Sequence, residues 1–236
     1  TEATMKAITK LLNYCATHPS AVVRSYASGM CLKIESDASY LSETKARSRA
    51  AGYHYLSDHP DDPTKPPHPD DPPFTPNGPI NVISNIMREV LSSASEAGLA
   101  ALFHNGKEGA SKRITLQELG HPQPPTPLVT DNSTASGIAN DTVKQKRSKA
   151  MDMRFYWIRD RVRQGQYHVY WRKGSTNKAD YFTKHHPAKH HQRMRGQYLH
   201  EPTPTTNNYY SCLDADKEND APNQIIDGQP TAVRVC

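Results

Sequence analysis

Nine of the chain's 19 prolines fall in one run, HPDDPTKPPHPDDPPFTPNGP (59–79), which repeats HPDDP at His59 and His68. Proline has no N–H to donate to a ladder or a helix, so no regular element can run through this stretch. It reads as an extended, solvated insertion that any folded sheet must carry as an excursion. Its aspartates Asp61, Asp62, Asp70 and Asp71 are read as solubilising linker residues, not as metal ligands.

The insertion divides two legible blocks. Ahead of it, Met5, Ile8, Leu11, Leu12 and Cys15 recur at helical spacing and His18-Pro19 stops the pattern. An amphipathic helix over 3–17 is predicted, with an apolar face that should pack on something. MCLKIESDAS (30–39) and RSRAAGYHYL (47–56) follow as two extended runs suited to a hairpin. Beyond the insertion, INVISNIMREVLSS opens as a third strand. SASEAGLAALFHNGKEG then reads as a helix that Ser93 or Ser95 can cap. PTPLVTDNST (125–134) is a short buried-type strand leading into a helix at Ser133. SKAMDMRFYWIRDRVRQ (148–164) is a second long helix, and YHVYWRKG a fifth strand. NKADYFTKHH leads into a final helical segment. Residues 201–236, rich in Thr, Asn, Asp and Pro, read as an acidic disordered tail.

No apolar run approaches the length of a membrane span, and TEATMKAITK lacks the apolar block of a signal peptide. The chain starts without Met in a helical pattern, which suggests a piece of a longer polypeptide. Cys15, Cys31, Cys212 and Cys236 are widely spaced, which argues against a zinc knuckle or a disulfide framework. Adjacent histidines, His185-His186 and His190-His191, rarely converge tetrahedrally and are not read as a zinc site. The net charge of +5 is unevenly placed: residues 121–200 carry 15 basic and 5 acidic groups, and 201–236 carry 2 and 6. A polyanion partner for the middle block is the reading this supports.

Three aspartates stand where structure does not require a carboxylate: Asp37 inside the first strand, Asp131 at the end of the fourth, and Asp180 at the start of the last helical segment. Carboxylates that converge repel one another unless a cation neutralises them, and hard oxygen donors select Mg²⁺ or Mn²⁺. A two-ion phosphodiester hydrolysis is the chemistry such a cluster supports.

SDASY (36–40), SSASEAGLAAL (92–102), VTDNSTA (129–135), KQKRSKAMDMRFYWIRDRV (144–162) and NKADYFTK (177–184) together resemble the ribonuclease H domain of copia-type LTR retrotransposon polyproteins. The resemblance runs from about Met30 to His186. It implies an α/β, ribonuclease H-like fold: a five-stranded mixed sheet flanked by helices, here with the Pro-rich insertion and the acidic tail. Residues 1–29 resemble the segment that trails the reverse transcriptase, with 30–200 as the ribonuclease H-like domain and 201–236 as the tail. The implied partners are an RNA/DNA hybrid and the rest of the polyprotein, and the implied setting is intracellular, cytoplasmic or within virus-like particles.

Carried over by position, Asp37, Asp131 and Asp180 match three of the family's four metal-binding, catalytic carboxylates, for Mg²⁺ or Mn²⁺ in a two-ion site. At the fourth, the second acidic residue of the family word, this chain has Gly98. Glu96, two residues upstream on a helix, should face elsewhere. Activity is therefore expected to be impaired, with a catalytically dead, nucleic-acid-binding remnant as the alternative. An integrase- or resolvase-like relative is disfavoured because its last carboxylate is normally Glu. Lys144, Lys146, Arg147, Lys149, Arg154 and Arg159 are the candidate phosphate contacts, with Arg161 and Arg163 nearby. Ser36, Asn132 and Ser133 are candidates for 2′-hydroxyl contacts. Trp157, Tyr156, Tyr170 and Trp171 are read as core and rim packing and not as base-stacking platforms.

Overall fold

The computed structural model describes residues 1–58, 77–143 and 156–201. Most of the proline-rich insertion, the stretch carrying Lys144, Lys146, Arg147, Lys149 and Arg154, and all but the first residue of the acidic tail lie outside them. Two compact units are present, Thr1–Ala27 with Ala188–Cys236, and Ser28–Pro187.

The larger unit is built on one five-stranded sheet. Its strands are β1 (Cys31–Glu43), β2 (Arg47–Ser57), β3 (Pro79–Ile86), β4 (Thr126–Thr130) and β5 (Tyr167–Trp171), in the spatial order β3-β2-β1-β4-β5. β1, β2 and β3 form an antiparallel meander, while β4 runs parallel to β1 and β5 parallel to β4. This is the mixed sheet expected of a ribonuclease H-like fold. The end of the proline-rich stretch is tied into it: Asn77 is buried, its Nδ2 donates to Leu56 O at 2.8 Å, and Pro79 pairs with Tyr55.

β1 is the central strand and is buried on both faces, although LKIESD alternates: Leu32 and Ile34 on one face, Lys33, Glu35 and Asp37 on the other. Ile34 and Ser36 point to one face, where α2 (Ala94–Glu118) lies; Glu35 and Asp37 point to the other. α2 can lie close to the sheet because its facing residues are small. A Cβ at Gly109 would meet Ile34 Cδ1 of β1 at 2.5 Å, and one at Gly106, facing a neighbouring helix, would meet Ile158 Cδ1 at 2.8 Å. Leu32, Ile34, Leu99, Leu102, Leu128, Ile158 and Tyr167 make the core between sheet and helices α2, α3 (Ser133–Ala139) and α4 (Tyr156–Arg163). Each such side chain contributes roughly 1.5–3 kcal/mol on burial.

One polar hub sits inside this core. Asn105 of α2 donates through Nδ2 to Ser36 Oγ (3.0 Å), Ala51 O (2.9 Å) and Ala101 O (3.0 Å), and its Oδ1 faces His54 Nε2 at 2.9 Å. Gly52 makes room for it, since a Cβ there would lie 1.7 Å from Asn105 Oδ1. Burial holds His54 neutral, its pKa pushed down to about 4.

The smaller unit contains α1 (Glu2–Thr17) and α5 (Ala188–Met194). Val22 and His200 exchange backbone hydrogen bonds of 2.9 and 2.8 Å, and His18 Nδ1 lies 2.7 Å from Glu201 Oε1. The predicted helix is present, but the packing expected of its apolar face is not: Met5, Leu11 and Leu12 are exposed, and no α1 residue is buried. Among the described residues nothing covers that stripe.

Candidate active site

Adjacent parallel strands bring the first two aspartates together. Glu35 of β1 pairs with Val129 of β4, so two residues further on Asp131 stands level with Asp37. The third, Asp180, lies in a 3₁₀ turn, Lys178–Phe182, packed against β1 and β2. Asn177 caps this turn, its Oδ1 accepting from Ala179 N at 3.0 Å while its Nδ2 donates to Ser36 O at 2.9 Å. Phe182 closes the other end: its carbonyl accepts from Ser84 Oγ at 2.8 Å, and its ring stacks on Tyr53.

The three carboxylates share one electrostatic environment. Asp37 is only 6% exposed, and its pKa is pushed up to about 6, first by burial, then by the negative charges of Asp131 and Asp180. Thr183 opposes this, donating to Asp37 Oδ2 at 2.8 Å. Lys184 supplies the local cation. Its Nζ lies 2.5 Å from Asp180 Oδ1, and that bond, with the charges of all three aspartates, raises the lysine pKa. The donor chemistry suits a hard divalent ion. As the side chains stand, no three His, Cys, Asp or Glu among the described residues converge tightly enough to hold one.

The backbone at Gly174 passes close to the Asp131 carboxylate. A Cβ at Gly174 would fall 2.7 Å from Asp131 Oδ2, so only glycine lets this turn pass the carboxylate undisturbed. Trp171 sits at the rim, 51% exposed, and donates its indole N–H to Asp131 O at 2.8 Å. Trp157 and Tyr170 do pack: Trp157 meets Phe103 edge-on, and Tyr170 is buried. Tyr156 is 39% exposed.

Gly98 lies in the first turns of α2, directly against the residue that follows Asp131. A Cβ on Gly98 would meet Asn132 Nδ2 at 2.9 Å, Cβ at 3.0 Å and Cγ at 3.1 Å. Asn132 is committed locally, capping α3 through Ala135 N (2.9 Å) and donating to Ala94 O (3.1 Å). Glu96 is committed too. Ser93 Oγ accepts from Glu96 N at 3.1 Å, while Glu96 Oε2 accepts from Ser92 N at 2.7 Å and Ser92 Oγ at 2.6 Å. This is a capping box displaced by one residue.

Ser36 needs correction: its hydroxyl belongs to the buried Asn105 hub and is not offered to a substrate. Ser133 is exposed at the start of α3. Of the basic candidates, Arg159 is described, and it pairs with Asp141, as does Arg163 at 2.7 Å. Arg161 lies over the Trp157 ring at 5.0 Å. His186 stacks on Tyr181. Thr183, Lys184 and Asn177 are site residues the sequence reading passed over, although all stand within the word NKADYFTK. Asn three residues before Asp180 is itself a turn-capping signal.

No family model matches the chain. It is 31% identical over 107 residues to the retrovirus-related Pol polyprotein from transposon TNT 1-94 of Nicotiana tabacum, an alignment covering 45% of this chain and 8% of the polyprotein. The resemblance read from the sequence words is thus matched by a retrotransposon Pol polyprotein, of which the chain spans a small part. Among solved structures it is similar to the N-terminal RNase H domain of a Mycobacterium tuberculosis protein, with 11% identity, 71% of this chain and 97% of that one covered, and a TM-score of 0.41. It is also similar to LC11-RNase H1, isolated from compost, at 11% identity, 65% and 92% coverage and a TM-score of 0.44. The protease-reverse transcriptase of prototype foamy virus is covered to 20% by 65% of this chain, at 14% identity and a TM-score of 0.36.

Proposed function

We propose that the unit Ser28–Pro187 is the ribonuclease H domain of a copia-type retrotransposon polyprotein, acting on the RNA strand of RNA/DNA hybrids by metal-dependent hydrolysis, at a rate impaired by Gly98. The observation that carries this reading is geometric: strand pairing sets Asp131 level with Asp37, and the turn carrying Asp180 packs on β1, near enough for the charges of Asp131 and Asp180 to act on Asp37. Such a gathering of like charges is costly unless something positive is bound there.

Asp37, Asp131 and Asp180 would hold Mg²⁺ or Mn²⁺. When bound, the ions supply an activated water and stabilise the leaving oxygen of an in-line displacement. The chain's own residues prepare this. Thr183 and the Ala38 backbone N–H hold the Asp37 carboxylate in place. Lys184 neutralises part of the charge and must yield Asp180 for that carboxylate to turn toward a cation. Arg159 can reach a phosphate only by leaving Asp141, so the backbone contacts proposed for Lys144, Lys146, Arg147, Lys149 and Arg154 carry more of the hybrid affinity. Residues 1–29, whose last two fall within the larger unit, are proposed as the trailing connection of a reverse transcriptase, in an intracellular setting. Among the described residues, no helix is long and apolar enough to cross a membrane.

One observation favours the second reading, a non-catalytic hybrid-binding remnant. Where the family carries its fourth carboxylate, this chain has Gly98 with Asn132 packed on it, and the remaining aspartates do not close on a common point. Cleavage of a labelled RNA/DNA hybrid in Mg²⁺ and Mn²⁺ separates the two, run beside Asp37→Asn and Gly98→Glu. Wild-type cleavage lost in Asp37→Asn supports the impaired nuclease. Silence in the wild type with retained hybrid binding and recovery in Gly98→Glu supports the remnant.

A further inference from the structure

A second carboxylate, Glu35, lies on the same face of β1 as Asp37, and nothing in the chemistry above uses it. It is 7% exposed in the middle of the sheet, a position where an ionised group is expensive and an apolar side chain would pack without penalty. Its contacts are directional. Oε2 accepts a short hydrogen bond from the Lys178 backbone N–H, and Oε1 faces the Tyr55 hydroxyl at 3.5 Å. Lys178 is the first residue of the turn that carries Asp180. The backbone N–H groups at the start of a helical turn have no partner within it, so a carboxylate there both satisfies a donor and favours the turn's dipole.

Glu35 does not act alone on this turn. Consecutive β1 residues each hold one point of it: Glu35 takes Lys178 N, the Ser36 carbonyl takes Asn177 Nδ2, and Asp37 takes the Thr183 hydroxyl. The third tether is itself a member of the site and the second is main chain. Glu35 is therefore the sheet side chain outside the acidic cluster that meets the start of the turn, beside the cap from Asn177 and two residues before Asp180.

We propose that Glu35 is a positioning residue: by capping the turn Lys178–Phe182 from beneath, it sets the location of Asp180 relative to Asp37 and Asp131. The proposal rests on the reading of those aspartates as cation ligands. Glu35 itself touches neither ion nor substrate. Its carboxylate oxygen is what matters, because an oxygen acceptor is what the Lys178 N–H requires. Glutamine, which keeps an oxygen at that place without the charge, should serve; leucine, which fills the volume and accepts nothing, should not.

The test uses the full chain with Glu35→Leu and Glu35→Gln and reads two quantities. The first is amide hydrogen exchange, expected to accelerate at least tenfold in Glu35→Leu at Lys178, Ala179 and Asp180 while core amides of β1 and β4 keep their protection. Glu35→Gln should stay within about threefold of wild type. The second is Mn²⁺ affinity by electron paramagnetic resonance, expected to fall at least tenfold in Glu35→Leu and to be restored in Glu35→Gln. Unchanged exchange at 178–180 in Glu35→Leu overturns the proposal, as does equal loss of Mn²⁺ in both variants, which would make charge and not placement the cause. If the wild type binds no Mn²⁺, the reading of the site fails, and exchange alone still decides whether Glu35 holds the turn.

Discussion

Replacing Asp37 by Asn removes a charge that the folded chain holds at a disadvantage. The pKa of Asp37 rises from an ordinary 3.8 to about 6, so above that pH the native state keeps a carboxylate ionised that burial and two neighbouring aspartates both disfavour. A rise of about two units corresponds to roughly 3 kcal/mol at most, present in full above pH 6 and absent below the unfolded value. The sign follows from linkage: between those values the folded state binds more protons than the unfolded one, so acidification relieves the penalty. Asn keeps an oxygen for the Thr183 hydroxyl and adds an N–H₂ that can face Asp131 and Asp180. Asp37→Asn should therefore be more stable than wild type by about 1–3 kcal/mol at pH 8 in the presence of EDTA. By pH 4 the advantage should shrink toward zero, where the wild-type side chain is itself neutral. Urea unfolding followed by circular dichroism at the two pH values measures this. A variant no more stable at pH 8, or an advantage that persists undiminished at pH 4, would refute the argument that the three carboxylates share one site.

The other expectations concern the surrounding frame. Glu96→Ala should cost about 1 kcal/mol in urea unfolding through loss of the displaced capping box, without changing hybrid cleavage; lost cleavage with unchanged stability would show that Glu96 serves as the fourth carboxylate in place of the one missing at position 98. Gly98→Glu needs Asn132 to give way, so adding Asn132→Gly, which as a cap costs only a few tenths of a kcal/mol, should raise Mn²⁺-dependent cleavage above the single variant. A slower double variant would count against the obstruction. His54, neutral in the core with a pKa near 4, favours the folded state fully above its unfolded value near 6.5 and loses that contribution as pH falls toward 4. An NMR titration showing its imidazole protonating above pH 6 would contradict the buried placement. Gly52→Ala should destabilise by about 2 kcal/mol or more in thermal or urea unfolding, because the new methyl displaces Asn105 from its partners.

Much of the sheet was legible because its strands are bounded by strong punctuation. The Ser93 cap and the VTDN word each mark a boundary that the structure observes, whereas β1 continues to Glu43, past the end read at 39. Asp37 and Asp131 could be paired from their strand positions once the parallel order was expected. Other features depend on contacts between residues far apart in the chain. Nothing in LKIESD says that Ser36 turns inward to Asn105 and Glu35 outward to Lys178, a separation of 143 residues. The apolar face of α1 shows the opposite limit: periodicity announces a face that wants burial, but it does not say what buries it. Likewise Arg159 counted toward a basic stripe in the sequence, whereas in space Asp141 takes it up.

The Asn105 hub has a consequence for how the sheet is chosen during folding. Its amide reads Ser36 on β1 and the Ala51 carbonyl on β2 at once. Shifting β1 by one residue would present Glu35 or Asp37 to the core in place of Ser36, and the hub would face a carboxylate in an apolar layer. The penalty for misregistration is thus written into the interior and not into the site. Substitutions in the acidic cluster or at position 98 leave this discrimination untouched, because none of the hub's hydrogen bonds involves them.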